Sequence, residues 1–477
     1  MAISTASPAG AVAAATTTVR GAKAGQRNSS AINEIAIFAL VAAAGAIASL
    51  AMPTIASYLA VALFLYATVI GYRCSPLATS LMLPIFVIRL LELFSSIVLN
   101  TGVSLEEIGT FSRPTSAFYW EALLYSSWPI ATALLPSLNI RFDSLVLPKP
   151  MILRALLVGI LIYGVVILAF YAVYGAPLFA ALGKYAFYAE VDNRWLNILV
   201  RYRIAVLFIA GCIFVASKSI VDRLAIAVVF GAVFVFGADK ITSPLVAISF
   251  FALPSFIFIS PYILFRRQVV LLFSVALVAV LSVYFVSRFA TSGSIDSTID
   301  SVALRLPAQC QLWYVTTEFK PETLNLSGGQ FGDEIKSMLP LGDTPDRVTG
   351  LGQSLAAQDM ASTEAYIEFQ KYNASFIMIM YPYVLHYYGI IPLLVFNFLL
   401  IAYYYWIARG VVFHLQRGHF LQAGLLALLY QAMVLALITG NLSTLLGTNI
   451  YLFLLVYGAI TLFRGRLTRP AGTASAA

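Results

Sequence analysis

The sequence predicts an all-α, polytopic integral membrane protein of about 12 transmembrane helices with one large exterior loop that contains amphipathic helices. Of its 477 residues, 61% are hydrophobic and 10% are charged, and the mean hydropathy is +0.89. Soluble domains carry roughly 45–50% apolar and about 25% charged residues. Apolar runs near the roughly 20 residues that a helix needs to cross a bilayer recur from Ile32 almost to the C-terminus. Such unbroken runs favour helices over the alternating segments of a membrane β-barrel.

The predicted elements follow one another along the chain without an evident internal repeat. Residues 1–30 form a disordered basic leader, 31–287 carry spans 1 to 9, 288–388 form the large exterior loop, 389–465 carry spans 10 to 12, and 466–477 form a tail. The individual spans are predicted at 32–52, 54–72, 78–100, 118–137, 151–174, 204–218, 223–239, 242–263, 268–287, 389–408, 419–440 and 443–463.

Basic residues give these spans a direction. Every second connection carries lysine or arginine, and so do the two ends of the chain: Arg20, Lys23, Arg27, Arg73, Arg141, Lys149, Arg154, Lys218, Arg223, Arg266, Arg267, Arg409, Arg417, Arg464, Arg466 and Arg469. Since cytoplasmic loops are enriched in such residues, the pattern predicts that both termini are cytoplasmic. The exterior segments are then 101–117, 175–203 and the loop 288–388.

The large exterior loop concentrates the polar chemistry of the chain. By sequence position it contains eleven of the 21 acidic residues. Residues 301–319 fit an amphipathic helix interrupted at Pro307, and residues 353–372 resume helical spacing after a middle rich in glycine and proline. We therefore expect two helices that flank an irregular segment above the membrane.

Several function classes find no support in the sequence. There is no Walker loop, no dinucleotide-binding glycine motif and no HExxH, and with only three histidines and three cysteines a metal site or a disulfide framework is not expected. The net charge of +8 follows the membrane topology rather than a nucleic-acid partner. The sequence predicts no cofactor and no metal.

Charged residues inside or beside the spans are the first candidates for function. Arg89 and Glu92 lie three residues apart in the third span and could pair on one helical face; a buried structural ion pair is the favoured interpretation. Lys240, in the turn GADKITSP after the seventh span, either binds a lipid phosphate or snorkels to the membrane surface.

Exterior arginines are candidates for binding an anion, because a planar guanidinium holds phosphate or pyrophosphate through paired N–H donors. Arg288 begins the large loop, and Arg305 lies in RLPAQCQLWY. Arg194, Arg201 and Arg203 cluster in the middle exterior segment, against the positive-inside rule, which indicates an anionic partner. Anionic lipid headgroups are the alternative partner for this cluster.

Three residues are candidates for a general base. His386, in MYPYVLHYYGIIPLL, could take a proton near neutral pH, although a structural role in an aromatic interface belt is the alternative. Glu364 and Glu368 lie one helical turn apart in the loop, and a solvated helix face is their alternative.

The order of these elements and the motif YNASFIMIMYPYVLHYYGIIPLLVF, with Asn373, Tyr388 and Gly389, resemble the O-antigen polymerase family, the Wzy-type oligosaccharide repeat-unit polymerases, and more distantly the O-antigen ligases. The chain also departs from the family. Lys240 replaces a serine–arginine pair, and the spacing from Arg201 to Gly211 is one residue short of an arginine–glycine motif found in some polymerases.

The resemblance implies a metal-independent, inverting glycosyltransferase that joins undecaprenyl-diphosphate-linked oligosaccharides at the periplasmic face of the bacterial inner membrane. It implies diphosphate binding by Arg305, Arg288, Lys240, Arg194, Arg201 and Arg203, catalysis by His386, Glu364 or Glu368, and substrate binding by Tyr372 and Asn373. Membrane lipids and a chain-length-regulating co-polymerase of the Wzz type are the expected partners, and nucleic acid is not.

Three alternatives stay open: a ligase, a transporter and a non-catalytic membrane scaffold, the last of which would leave the exterior arginines unexplained. Ligases of this superfamily carry a histidine before the asparagine where this chain has Tyr372, which favours a polymerase over a ligase. A lipid-linked oligosaccharide flippase or another transporter also suits twelve spans, but transporters place polar residues in broken helices at mid-membrane rather than in one exterior loop.

Overall fold

The structure is a computed structural model that describes residues 31–105, 110–135, 138, 146–179, 187–188, 190–191, 193–237, 242–263, 266–267, 282, 285, 289, 294–295, 309–318, 380–439 and 442–467. Its helices are α1 Ala31–Ala51, α2 Ala56–Cys74, α3 Pro76–Leu81, α4 Leu83–Leu99, α5 Ala117–Leu134, α6 Pro150–Tyr174, α7 Arg194–Ala216, α8 Ile220–Phe236, α9 Thr242–Phe258, α10 Gln311–Glu318, α11 Met380–Tyr388, α12 Ile390–Gln416, α13 Phe420–Thr439, α14 Leu442–Leu446 and α15 Thr448–Leu467. Two short strands, Ser104–Leu105 and Thr110–Phe111, form an antiparallel hairpin between α4 and α5.

Seven of the described helices are long and apolar enough to cross a membrane, so the protein is an all-α, multi-pass membrane protein. They are Ala31–Ala51, Pro53–Cys74, Pro150–Phe179, Arg194–Ala216, Ile390–Gln416, Phe420–Thr439 and Thr444–Leu462. The predicted spans at 78–100, 118–137, 223–239 and 242–263 correspond to helices that are shorter or less apolar. Most of the predicted span at 268–287 lies outside the described residues.

The third predicted span is broken in two. Pro84 has no N–H to donate to the carbonyl of Ser80, and its ring disfavours a continuous helix at that point. The chain therefore makes a tight turn at Met82, whose N–H donates to Thr79 O at 3.1 Å, between α3 and α4. The hydroxyl of Ser80, near the end of α3, donates to Pro261 O after α9.

Helix α7 begins at Arg194, well before the predicted start of that span at residue 204. The Asn193 side chain caps it, because its Oδ1 accepts from Trp195 N at 3.0 Å and Leu196 N at 3.1 Å. The expectation that Arg194, Arg201 and Arg203 lie in a loop was therefore wrong, because all three belong to α7. Sequence hydropathy missed residues 194–203 because they include the polar residues Arg194, Asn197, Arg201 and Arg203.

The core lies between α4, α5, α7, α9, α12 and α13, and α13 is the most buried of the seven long helices. Helices α1, α6 and α15 are largely exposed, with apolar side chains such as Leu40, Val158 and Leu455 on the outside. In a bilayer these surfaces face lipid, where exposed apolar groups carry no penalty. The described helices thus form an inner group surrounded by lipid-facing helices.

Side-chain hydrogen bonds define the two ends of this bundle. At the end we call the loop end, Asn100 after α4 donates to Pro53 O at 2.8 Å and accepts from Thr115 N at 2.9 Å before α5. At the opposite end, Tyr72 of α2 donates to Pro261 O at 2.7 Å after α9. Pro261 follows the C-terminal end of α9, so this end of the helix lies at the opposite end of the bundle. The first residues of α9 therefore lie at the loop end.

Candidate functional site

A buried polar network lies between the inner helices, and we define it by Arg89 and Glu92 of α4, Glu121 and Tyr125 of α5, Cys310 beside α10 and Tyr381 of α11. All six side chains are buried. Ionisable groups at membrane depth are costly and mark functional sites by default. The network is therefore the strongest candidate site in the described part of the chain.

The ion pair at its centre confirms the prediction for α4. Arg89 and Glu92 lie three residues apart, so they share a helix face. Arg89 Nη1 lies 2.5 Å from Glu92 Oε2, and the two residues are 2% and 1% exposed. A charge-assisted contact of this length compensates much of the cost of burying both charges.

Tyr125 connects this pair to a second carboxyl group. Its hydroxyl oxygen lies 3.0 Å from Glu92 Oε1 and 2.9 Å from Glu121 Oε1. Glu121 and Tyr125 lie four residues apart on α5, which places both side chains on the face that meets α4. Glu121 is fully buried.

Two aromatic rings enclose the guanidinium. The Arg89 carbon Cζ lies 4.1 Å from the centroid of the Tyr125 ring and 4.7 Å from that of Tyr381. Both distances suit cation–π attraction, which is strongest where water is excluded. Arg89 Nε and Nη2 have no hydrogen-bond partner among the described residues.

Neutral hydrogen bonds fix the ring of Tyr381. Its hydroxyl donates to Asn397 Oδ1 at 2.6 Å and accepts from Trp128 Nε1 at 3.0 Å. Asn397 Nδ2 donates in turn to Ser127 Oγ at 2.8 Å. Helices α5, α11 and α12 thus hold the Tyr381 ring in one position relative to Arg89.

Helix α10, which belongs to the large loop, packs on the start of α5 and closes the network from the loop end. The Cys310 thiol donates to Glu121 Oε2 at 3.2 Å, and Trp313 Nε1 donates to Ala117 O at 3.1 Å. Thr115 Oγ1 donates to Glu318 Oε1. Burial raises the pKa of the Cys310 thiol well above its usual range, so the thiol stays protonated and is a poor nucleophile.

A second feature is an amphipathic cleft between α7, α13 and α15. Arg201 and Tyr202 line one side, and Leu435, Asn449 and Phe453 are among the residues of the other sides. The Tyr202 and Phe453 rings meet edge to face at 5.8 Å. The cleft therefore combines one guanidinium and amide groups with apolar walls.

Gln431 of α13 holds Arg201 in this position through the backbone of α7. Gln431 Nε2 donates to Arg201 O at 2.7 Å, and Gln431 Oε1 accepts from Ala205 N at 3.0 Å. Both bonds are made by a side chain that is 3% exposed, so they lie in a sheltered environment. The Arg201 side chain itself stays exposed.

The structure separates the three predicted arginines of α7. Arg194 and Arg201 are exposed, and Arg201 lines the cleft. Arg203 is buried; its Nη2 donates to Ser243 Oγ at 3.3 Å, and its guanidinium lies 5.0 Å from the Phe234 ring. Arg203 therefore ties α7 to α8 and α9.

For the other predicted site residues the structure describes no side chain. His386 lies on α11, and its side chain is not among those described. Lys240, Arg288, Arg305, Glu364, Glu368, Tyr372 and Asn373 lie outside the described residues. In the part of the chain that the structure describes, no group of three or more His, Cys, Asp and Glu side chains could hold a metal ion.

Sequence reasoning missed Glu121, Tyr125, Cys310 and Tyr381 as members of one site. A signal was present for Glu121, because it is an acidic residue inside the predicted span at 118–137 and falls under the same rule that drew attention to Arg89. The sequence contains no signal that α4, α5, the segment at Cys310 and α11 contribute side chains to one site.

No protein-family model, curated protein or solved structure matches this chain.

Proposed function

We propose that the protein is a glycosyltransferase that polymerises undecaprenyl-diphosphate-linked oligosaccharide repeat units into a surface polysaccharide, an O-antigen or an exopolysaccharide. The reaction takes place at the periplasmic face of the bacterial inner membrane, in a chain of about 12 spans with cytoplasmic termini. A hydroxyl of one lipid-linked unit attacks the anomeric carbon of the other and gives its proton to a general base, for which His386, Glu364 and Glu368 are the candidates. The bond to the lipid diphosphate breaks, the diphosphate leaves with the bonding electrons, and the anomeric centre is inverted.

The amphipathic cleft at Arg201 is the observation that carries this proposal. A polyprenyl diphosphate has an anionic head and an apolar tail, and the lining of this small cleft includes Arg201 together with Leu435 and Phe453. A fixed cation near the departing diphosphate stabilises the negative charge that develops in the transition state. An exposed arginine without an acidic partner among the described ion pairs is free to take an external anion.

The position of the cleft in the bundle agrees with this role. Arg203 donates to Ser243 at the start of α9, so the N-terminal half of α7 lies at the loop end. Arg73, which belongs to the basic set of the positive-inside pattern, ends α2 next to Tyr72 at the opposite end. With basic connections facing the cytoplasm, the cleft and α10 both face the exterior.

The test is polymerisation by the purified full-length protein. A defined undecaprenyl-diphosphate-linked repeat unit should yield a ladder of longer lipid-linked products. Arg201→Ala should lower the rate about ten- to a hundredfold, since a hydrogen bond to a charged group contributes roughly 1.5–3 kcal/mol. Arg154→Ala is the control, because Arg154 is exposed on α6, belongs to the basic residues predicted to face the cytoplasm and does not line the cleft.

Two results would contradict the proposal. The absence of a ladder with the cognate lipid-linked unit would remove the polymerase activity itself. Equal rates for the Arg201→Ala protein and the wild-type protein would remove Arg201 from diphosphate binding while leaving the reaction open.

A flippase of lipid-linked oligosaccharides is the second candidate, and the buried polar network favours it. Transporters place ionisable residues at mid-membrane beside broken helices, and Arg89 lies in a span that is broken at Met82. Movement of the lipid-linked unit across vesicles without any ladder would establish this candidate. A ladder without such movement would exclude it.

A further inference from the structure

The two carboxyl groups of the buried polar network have very different partners. Within the described residues, Arg89 forms its only ion pair with Glu92. Glu121 is fully buried, and its contacts are the Tyr125 hydroxyl and the Cys310 thiol, both neutral. If both carboxyl groups were ionised, the network would hold one positive and two negative charges in a site closed to water. An unpaired buried charge of this kind is strongly unfavourable.

The hydrogen atoms of the network lead to the same assignment. The Tyr125 hydroxyl carries one hydrogen, yet its oxygen lies within hydrogen-bond distance of Glu92 Oε1 and of Glu121 Oε1. Two ionised carboxylates can only accept, so one of these oxygen–oxygen contacts would hold no hydrogen. One of the two carboxyl groups must therefore donate to Tyr125.

Two nitrogen donors of Arg89 indicate that Glu121, rather than Glu92, holds the proton. Its Nε and Nη2 have no hydrogen-bond partner among the described residues, although the side chain is 2% exposed. An ionised Glu121 in the same network would gain by taking these N–H groups. It instead faces Tyr125 and Cys310, as a neutral acid does.

We propose that Glu121 is a proton-binding site and holds its proton in the resting protein at neutral pH. The hydrogen bonds then run in one direction, from the Cys310 thiol to Glu121, from Glu121 to Tyr125 and from Tyr125 to Glu92, which pairs with Arg89. Release breaks the O–H bond of Glu121, sends one proton to water and changes the charge of the network from zero to minus one. Cys310 is the group through which the large loop closes this site, and the inference stands independently of the proposed function.

Infrared spectroscopy of the full-length protein in lipid nanodiscs tests the site. At neutral pH the wild-type protein should show the carbonyl stretching band of a protonated carboxylic acid, with a small shift in D₂O. The band should be lost in Glu121→Gln and kept in the matched control Glu318→Gln, whose side chain is exposed on α10. A wild-type protein without such a band, or a band that survives Glu121→Gln, overturns the proposal.

A second variant keeps the test decisive where Glu121→Gln does not fold. Tyr125→Phe removes the hydroxyl that accepts from Glu121 while keeping the ring that faces Arg89. The acid band should persist but move, because the Glu121 hydroxyl loses its acceptor. A band at the wild-type position in Tyr125→Phe would belong to another carboxyl group and would contradict the assignment.

Discussion

Separate and joint replacement of Arg89 and Glu92 measures how strongly the buried ion pair depends on both partners. Arg89→Met and Glu92→Leu each leave one charge in a site whose residues are 2% and 1% exposed. Breaking a buried pair in this way costs about 3–5 kcal/mol. In the unfolded state the long arginine side chain can reach the micelle surface, whereas the rings of Tyr125 and Tyr381 enclose it in the folded state.

The double variant Arg89→Met/Glu92→Leu should cost much less than the sum of the two single changes. It leaves no unpaired charge and loses mainly the cation–π contacts, which contribute about 2 kcal/mol when desolvated. Two independent changes would instead sum to roughly 6–10 kcal/mol. The coupling energy is therefore expected to be at least about 4 kcal/mol.

Reversible unfolding of the four proteins in mixed micelles with a rising fraction of sodium dodecyl sulfate provides the measurement. Helical circular dichroism and tryptophan fluorescence should give the same midpoints. Two results would refute the view that each charge needs the other to compensate for its burial. One is a single change that costs under about 1 kcal/mol, and the other is a double variant whose cost equals the sum of the single changes within about 0.5 kcal/mol.

Three further predictions concern packing, capping and pH. Gly211→Ala should destabilise the protein by about 1–3 kcal/mol in the same assay, because an added Cβ would clash with Phe251 O. Gly159 has open space around it, so the control Gly159→Ala should be neutral or slightly stabilising. Asn193→Ala should cost about 1 kcal/mol through loss of the α7 cap, and Asn193→Asp should retain most of it. Burial raises the pKa of the Cys310 thiol, so the thiol stays protonated in the folded state while the unfolded thiol ionises above about pH 8.5. The contribution of this thiol to stability should therefore be constant below that pH and should fall by up to about 1.4 kcal/mol per pH unit above it. Cys310→Ser should remove this part of the slope, and identical slopes for the two proteins would contradict the burial of the thiol.

The sequence by itself determined that the protein is built from apolar helices, and it located most of them. Long apolar runs leave a backbone in lipid no other way to satisfy its polar groups, so composition and run length suffice for this conclusion. The Arg89–Glu92 pair was also predictable, because both residues lie on one helix and the helical repeat alone brings them together. The start of α7 was not predictable from hydropathy, since the side chain of Asn193 sets that boundary.

Only the tertiary structure decided which charged residues form one site. Glu121, Cys310 and Tyr381 come from segments far apart in the chain, and their meeting depends on α10 and α11 packing against α5. Helix packing also gives Arg201 and Arg203 different environments, although they are only two positions apart and the sequence does not distinguish them. Arg201 is exposed at the cleft, whereas Arg203 is buried against Phe234. A residue two positions further along a helix points about 200° away, so its neighbours are set by helix packing and not by local sequence.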